Sequence, residues 1–444
     1  MIVLKFGGTS VRNAEWINRV LDIAHAELPR SPLLVSSAMA GVTDDLLSMA
    51  CSAAQGRGEE ALQLLESVRQ RHIQTCNELL ERHESATHNT LEQLISDVRH
   101  LIQGISLVRE CTPRTQDAVV SFGERLSTLL IAAAGEARGI QVRLFDSREF
   151  VRTDDQFTSA TCLLEPTYRL IREGITPHPH TLLIVQGFIG ATADGVTATL
   201  GRGGSDFSAT IFGAALQAEE VQIWTDVDGI LTADPRIVSI ARQVEVLSYP
   251  EAAELAFFGA KVVHPFTIQP AVERAIPVTV RNTGRPEQAG TRIQAASEVH
   301  GVRALATRKG ITVITIHSSR MLNAYGFLSR IFAVFERFRI SVDLVATSEV
   351  SVSMTVDNAV NLRPAIGELE KYGSVQVETR QAILSLVGRN LWRDPSFVTR
   401  VFTSLADVPL RMISLGSSDI NLSLVMSESS VDTAMRTLHG EFFE

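Results

Sequence analysis

The chain is poor in cysteine, in basic charge and in long apolar runs. It has only four cysteines, Cys51, Cys76, Cys111 and Cys162, widely spaced and without a Cys-x-x-Cys pair. In a chain of 444 residues that argues against a disulfide framework and for reduced, free thiols. The formal net charge is −9, which disfavours a nucleic-acid partner, because such proteins carry a basic face. An anionic small substrate stays open, since local charge governs its binding. No run approaches the roughly 18 apolar residues of a membrane helix. The opening MIVLKFGG has no basic stretch followed by a long apolar core, so no secretory signal is visible. The expectation is a soluble, cytoplasmic protein with no membrane or nucleic-acid partner.

What is present is an ordinary globular share of apolar residues, 45%, in a chain long enough for two or three domains. Strand candidates at 1–6, 31–37, 140–145, 181–187, 220–225 and 276–281 alternate with helical patterns. From about 46 to 115 the apolar spacing is helical throughout. Alternation of this kind predicts an α/β domain, a mostly parallel sheet sandwiched by helices. The turn-rich RPEQAGT near residue 285 marks a boundary, which puts a first domain at 1–285.

Beyond the boundary the sequence repeats at an offset of 70 residues. Arg330-Ile331-Phe332 recurs as Arg400-Val401-Phe402, Val313-Ile314 as Ile383-Leu384, Ile340 as Leu410 and Val352 as Leu422. Each copy follows the order strand, turn, helix, strand, strand, helix, and so resembles the ACT domain, a ferredoxin-like βαββαβ module. The copies are placed at 311–380 and 381–444, with 286–310 as linker and joining strand. The first copy finishes on a strand at 374–378, and the second stops after its last helix. Gly301–Ala306 is therefore expected to cross over and complete the second copy's sheet, making the first copy an insertion in the second.

Two glycine-rich turns carry the chemistry. KFGGTS, Lys5 to Ser10, follows a strand and precedes a helix, so its backbone can approach an anion closely. GRGGSD, Gly201 to Asp206, adds an arginine able to fork onto a carboxylate and an acid able to accept from an ammonium. KFGGTS is not a Walker A loop, because no G-x-x-x-x-G-K-[ST] occurs. In chain order, KFGGTS, SAMAGVTD (37–44), SFGERLS (121–127), GRGGSDFSA, WTDVDGI (224–230), DPR (234–236) and FGAKVVHP (258–265) together resemble the aspartate kinases of the amino-acid kinase superfamily. The likeness covers essentially the whole chain, the tandem ACT repeat included.

The resemblance implies an amino-acid kinase fold followed by two ACT domains, and ATP with Mg²⁺ as cofactors. It implies that Lys5, Gly7, Gly8, Thr9 and Ser10 line the phosphates, and that Thr43, Glu124, Arg202, Ser205 and Asp206 hold L-aspartate. Thr225, Asp226, Leu231, Arg236 and Lys261 would surround the nucleotide, with Lys5, Asp206 and Lys261 as the catalytic set. Leu231 departs from the family, which often has tyrosine there, so an aromatic contact to the nucleotide is lost or replaced by aliphatic packing. The chemistry agrees with a site lacking a general base. An aspartate β-carboxylate has a pKa of about 3.9, so it is already the nucleophile at neutral pH.

SRMLNAYGFLSRIF (319–332) and ISVDLVATSEVSVSM (340–354) look like the effector-binding segments of lysine-inhibited aspartate kinases. The likeness assigns Met321, Gly326, Phe327, Leu328 and Val342 to the effector's backbone and body, and Asp343, Ser348 and Glu349 to its ammonium groups. The second copy has Arg411 where the first has Ser341 and Asp419 where it has Glu349. Lacking the paired acids, it is expected to brace a homodimer formed through the ACT copies, with a tetramer as the open alternative. No dedicated metal cage is expected. HESATH (83–88) spaces its histidines on different helix faces and PHPH (177–180) reads as a loop, so metal enters with ATP. Two other readings stay open here: a glutamate or acetylglutamate kinase, and a non-catalytic amino-acid sensor. The retained Lys5, Arg202, Asp206 and Lys261 argue against the sensor.

Overall fold

The computed structural model describes residues 1–80, 85–259, 263–297, 300–322, 325–357, 360–416 and 418–444. Its contacts divide the chain into two compact units, Met1–Ile230 with Val262–Ala296, and Leu231–Lys261 with Ser297–Glu444.

In the first unit seven strand segments form one sheet: β1 (Ile2–Phe6), β2 (Pro32–Ser36), β3 (Gln141–Leu144), β4 (Thr181–Gln186), β5 (Glu220–Thr225), β6 (Val278–Asn282) and β7 (Thr291–Gln294). Their order is β3-β4-β2-β1-β5-β6-β7. Every pair is parallel except β6 with β7. β1, β2 and β4 are buried along their whole length, as expected of a parallel sheet covered on both faces. That is why IVLKF and TLLIVQ show no alternation of polar and apolar residues. A smaller sheet joins Arg152–Thr153, Ile189–Thr192 and Thr197–Thr199.

The helices of this unit are α1 (Ala14–Ala26), α2 (Val42–Ala54), α3 (Gly58–Leu79), α4 (Ser85–Val108), α5 (Pro113–Val120), α6 (Phe122–Ala137), α7 (Leu164–Gly174) and α8 (Gly204–Ala215), with a short turn of helix at Gln269–Glu273. α1 starts where Asn13 accepts from the Trp16 amide, leaving Ile17, Val20, Leu21 and Ala24 on the buried side. α3 and α4 are the long helical excursion seen in the sequence. The run Pro113–Ala137 is long and apolar enough to cross a membrane by length and mean composition, although charged residues interrupt it and no long continuous apolar run occurs. It is mostly buried inside the unit, and Leu126, Leu130 and Ile131 sit in the core with Leu34 and Ile184. The run comprises α5 and α6, core helices of the α/β layer.

The second unit carries the repeat. Its strands are β8 (Gly301–His317), β9 (Val342–Thr347), β10 (Ser351–Val356), β11 (Ser374–Arg389), β12 (Leu410–Leu415) and β13 (Asn421–Ser427), in the order β9-β10-β8-β11-β13-β12. β8 and β11 are long and serve both copies. Val313–His317 pairs with Ser374–Glu378 in the first copy, and Gly301–Lys309 pairs with Ala382–Arg389 in the second. The amino-terminal part of β8 thus fills the strand position that the second copy lacks. The switch falls at Gly310, φ +78, and Arg380, φ +56. Helices α9 (Phe327–Arg337), α10 (Leu362–Leu369), α11 (Pro395–Ser404) and α12 (Glu428–Phe443) complete the copies. The repeated positions are core positions: Ile331 and Val401, Ile314 and Leu384, and Val352 and Leu422 are all fully buried.

One boundary differs from the expectation. Residues 231–261 read as part of the catalytic domain, yet by contacts they belong with the second unit. Ala233 and Val238 pack in the cluster of Leu305, Leu384 and Leu438. The Thr232 hydroxyl meets His439 Nε2 at 2.9 Å, and the Leu305 amide donates to the Thr232 carbonyl.

Candidate active site

Parallel strands present their carboxyl ends on one edge, and the loops leaving that edge are where such sheets bind ligands. β1 leads into Gly7 and Gly8, β2 into Ser37–Gly41, and β4 into Gly187 and Phe188. With α6 and the Gly201–Asp206 turn these loops enclose a cleft of about 610 Å³. Of the residues assigned from sequence, Lys5, Gly8, Thr43, Glu124, Arg202, Ser205 and Asp206 line it together.

Lys5 is the penultimate residue of β1 and is nearly buried. Its Nζ lies 2.6 Å from Asp206 Oδ1, in the first turn of α8. That helix is capped by Gly203 at φ +75, and a Cβ there would stand 2.7 Å from Thr267 Cγ2, so only glycine fits. Gly8 is constrained by space instead. Its added Cβ would meet the Ala38 carbonyl at 2.8 Å, because the Ala40 amide donates to the Gly8 carbonyl at 3.1 Å. The two loops interlock, and Arg71 of α3 braces both, donating to the Ala40 carbonyl (2.7 Å) and the Arg12 carbonyl (3.2 Å).

Glu124 stands in the first turn of α6, 2% exposed. Its Oε1 accepts from the Ala38 amide at 3.1 Å, while the buried Oε2 has no partner among the described residues. Burial pushes its carboxyl up to about 8, against the pull of the Ala38 amide and of its own amide. A half-satisfied buried carboxylate in a cleft is a receptor for a cation or a strong donor. Ser205 Oγ accepts from Ser37 Oγ at 2.9 Å, and the Ser37 carbonyl accepts from Ser127 Oγ at 2.7 Å, so Ser37 ties α6 to α8. Arg202 is exposed and makes no ion pair among the described residues.

The other assigned residues are not gathered there. Gly7 donates its amide to the Trp224 carbonyl. Ser10 is buried with its hydroxyl 2.7 Å from Thr283 Oγ1, which ties KFGGTS to the chain after β6 and takes that hydroxyl out of the cleft. Thr9 is half-buried and outside the cleft lining. Thr225 and Asp226 stand at the carboxyl end of β5, outside the cleft lining, with the Thr225 hydroxyl donating to Asp226. Leu231 and Arg236 belong to the second unit. Leu231 bridges to Gln243, and the exposed Arg236 guanidinium lies on Asp234 at 2.6 Å. Lys261 and His83 lie outside the described residues. Sequence reasoning missed Ser37, Arg71 and Asp117. Ser37 begins a motif already quoted, whereas nothing local marks Arg71 or Asp117, whose partners are far along the chain.

Comparison with known proteins gives the family. The model of the amino acid kinase family covers residues 1–282, and that of the ACT domain covers 384–442. Lysine-sensitive aspartokinase 3 of Escherichia coli is 36% identical over 454 residues, spanning 100% of this chain and 99% of the relative. The chain belongs to the aspartokinases. The crystal structure of E. coli aspartokinase III with aspartate and ADP (R-state) superposes with a TM-score of 0.84 at 36% identity, each chain covered in full. The form with lysine and aspartate (T-state) gives 0.82 at 37%, again with both chains fully covered.

The second unit places the residues assigned to an effector as follows. Gly326, φ +72, caps α9, with Phe327 buried and Leu328 exposed behind it. Met321 and Val342 pack against the first copy's core. Ser348 and Glu349 are exposed at the turn between β9 and β10, where the Ser348 hydroxyl meets Ser351 Oγ at 2.7 Å. Asp343 is not free. Its side chain is 3% exposed and its Oδ1 lies 3.5 Å from Arg308, which also pairs with Asp357. Burial pushes its carboxyl up to about 6, outweighing the pull of Arg308.

Proposed function

We propose that this chain transfers the γ-phosphate of ATP to the β-carboxylate of L-aspartate, giving 4-phospho-L-aspartate, the opening step of the route to lysine, threonine and methionine. The observation that carries the reading is the cleft itself: Lys5 paired with Asp206 beside the half-satisfied Glu124 and the unpaired Arg202. A zwitterion with two carboxylates needs such a receptor. Glu124 takes the ammonium, Arg202 forks onto the α-carboxylate, and Thr43 and Ser205 add hydroxyls. A β-carboxylate oxygen then attacks the γ-phosphorus, the bond from phosphorus to the β–γ bridging oxygen breaks, and ADP leaves with its electrons.

No base is needed, because the nucleophile is already ionised. The burden is to bring an anion to a polyanion, and such transfer rests on positioning and charge stabilisation. Lys5 supplies a buried cation at that point, with Gly7, Gly8, Thr9 and Ser10 forming the phosphate loop and Lys261 a second cation. Thr225, Asp226, Leu231 and Arg236 are assigned to the nucleotide. Mg²⁺ is assigned to the ATP phosphates, where it would be bound with the nucleotide.

We assign residues 1–285 to catalysis, 286–310 to the linker and joining strand, and 311–380 and 381–444 to the two ACT copies. L-lysine is the effector, recognised by Met321, Gly326, Phe327, Leu328, Val342, Asp343, Ser348 and Glu349. The relative described as lysine-sensitive supports this, as does the relative's crystal form holding lysine. Association through the ACT copies into a homodimer is supported by the exposed Leu322, Tyr325, Val345, Val350 and Val360 on the first copy. The enzyme is assigned to the cytoplasm. The test is an ATP-dependent kinase assay with aspartate, glutamate and N-acetylglutamate as acceptors, repeated with lysine, threonine or methionine. Aspartate turnover inhibited by lysine is expected. Glutamate turnover above aspartate turnover reverses the substrate, and inhibition by threonine alone removes lysine.

A further inference from the structure

Thr158 lines the cleft with φ +73, in the left-handed region where a β-branched residue is strained. A strained residue in a cleft wall needs something to hold it, and here the holder is Asp117 of α5, 1% exposed. Asp117 Oδ2 accepts from the Thr158 amide at 2.9 Å and from the Thr199 amide at 2.9 Å, while Oδ1 accepts from the Thr199 hydroxyl at 2.8 Å. The Ala160 amide donates to the Thr199 carbonyl at 2.8 Å, closing the assembly. Against it lies Gly201 at φ +70, whose added Cβ would stand 3.2 Å from Ser159 Cα. Gly201 opens the turn that carries Arg202, Ser205 and Asp206.

We propose that Asp117 is a positioning residue for the acceptor end of the cleft. By pinning Thr158 and Thr199 it fixes the wall on which the Gly201–Asp206 turn rests, so Arg202 is set before the acceptor arrives. The proposal rests on the aspartate kinase reading for its substrate, though not for its geometry. A carboxylate is the group required, because it accepts at both oxygens and donates nothing. Asparagine would turn an amide N–H₂ toward a donor. Burial raises the Asp117 carboxyl above its ordinary range, while the Thr158 and Thr199 donors pull it down. Among the described residues no cation is paired with it, and the Thr158 and Thr199 donors hold it.

Asp117→Asn and the double variant Asp117→Asn/Thr158→Gly test this. In the single variant the KM for aspartate is expected to rise about tenfold or more, the loss of charge-assisted bonds, with the KM for ATP changed less than about twofold. Glycine adopts φ +73 unaided, so the double variant should recover most of the aspartate KM. Hydrogen exchange of substrate-free protein should show faster exchange at the Thr158 and Thr199 amides in Asp117→Asn. A purely structural Asp117 would lower the melting temperature and leave the two KM values moving together, and that result overturns the proposal. So does unchanged exchange at both amides. If the parent protein fails to phosphorylate aspartate, the substrate reading falls, and exchange alone decides whether Asp117 holds the wall.

Discussion

Glu124 in the cleft is buried as a whole residue, and Asp343 in the first ACT copy, half-buried as a residue, has its side chain withdrawn from water. Both have carboxyls raised by burial, to about 8 and about 6. They differ in what answers the charge. Glu124 is answered by backbone amides alone, and among the described residues its Oε2 has no partner and no cation is paired with it. Asp343 has Arg308 within 3.5 Å, itself shared with Asp357. A carboxylate left half-satisfied is costly in the empty protein and is repaid by a ligand's ammonium. Asp343 also keeps an oxygen, Oδ2, with no partner among the described residues, but a ligand's ammonium there would compete with a guanidinium already facing Oδ1. The first arrangement suits a substrate bound at every turnover, and the second suits an effector whose binding must move something.

That comparison can be broken in several ways. The largest effect is expected at the cation the cleft does possess. Lys5→Ala should lower kcat by about 10²-fold or more, since it removes charge stabilisation from the transferring phosphoryl group, and raise KM much less. Near-normal turnover removes the role given to Lys5.

Glu124→Gln should raise the KM for aspartate by about 10–100-fold through loss of a charge-assisted bond, with a smaller change in kcat. Its pH behaviour sharpens the point. A carboxyl raised in the folded state contributes stability that is full below its unfolded pKa and is lost as pH rises through about 8. Binding an ammonium favours the ionised form, so the parent's KM for aspartate should fall as pH rises from 7 toward 8. In Glu124→Gln both pH dependences should flatten, which melting curves and initial rates across that range will show. A KM that keeps its slope in the variant places the titrating group elsewhere.

The smallest effect on catalysis is expected at Asp343. Asp343→Asn should leave uninhibited turnover within about twofold and raise the half-inhibiting lysine concentration at least about tenfold. The regulatory unit's loss of stability as pH rises through about 6 should disappear in the same variant. Lysine inhibition surviving in an Asp343→Ala, Glu349→Ala double variant rejects both contacts.

Much of this architecture is written locally in the chain. Strand and helix alternation, the buried strands β1, β2 and β4, and the repeat at 70 residues all follow from apolar spacing, because burial selects residue type at each position. The same holds for the glycine turns, since only glycine tolerates φ +75 against Thr267 or the closeness of Ala38 to residue 8. KFGGTS, GRGGSD and FGERLS therefore led to Lys5, Arg202, Asp206 and Glu124, which share one cleft. What the order of residues could not decide is which groups are already taken. Ser10 looked like a phosphate ligand by its place in KFGGTS, yet Thr283, far along the chain, claims its hydroxyl. Asp343 looked like an open acid, yet Arg308 of β8, two strands away in the sheet, stands 3.5 Å from its Oδ1. Asp117 carried no signal, because its meaning lies in Thr158 and Thr199. The grouping of residues 231–261 with the second unit likewise came from packing on Leu305, Leu384 and Leu438. Sequence by itself determined the elements and the residue types at the turns, through spacing and backbone conformation. Only the tertiary structure decided which polar groups remain unpaired, because hydrogen-bond partners and burial are set by approaches between distant segments.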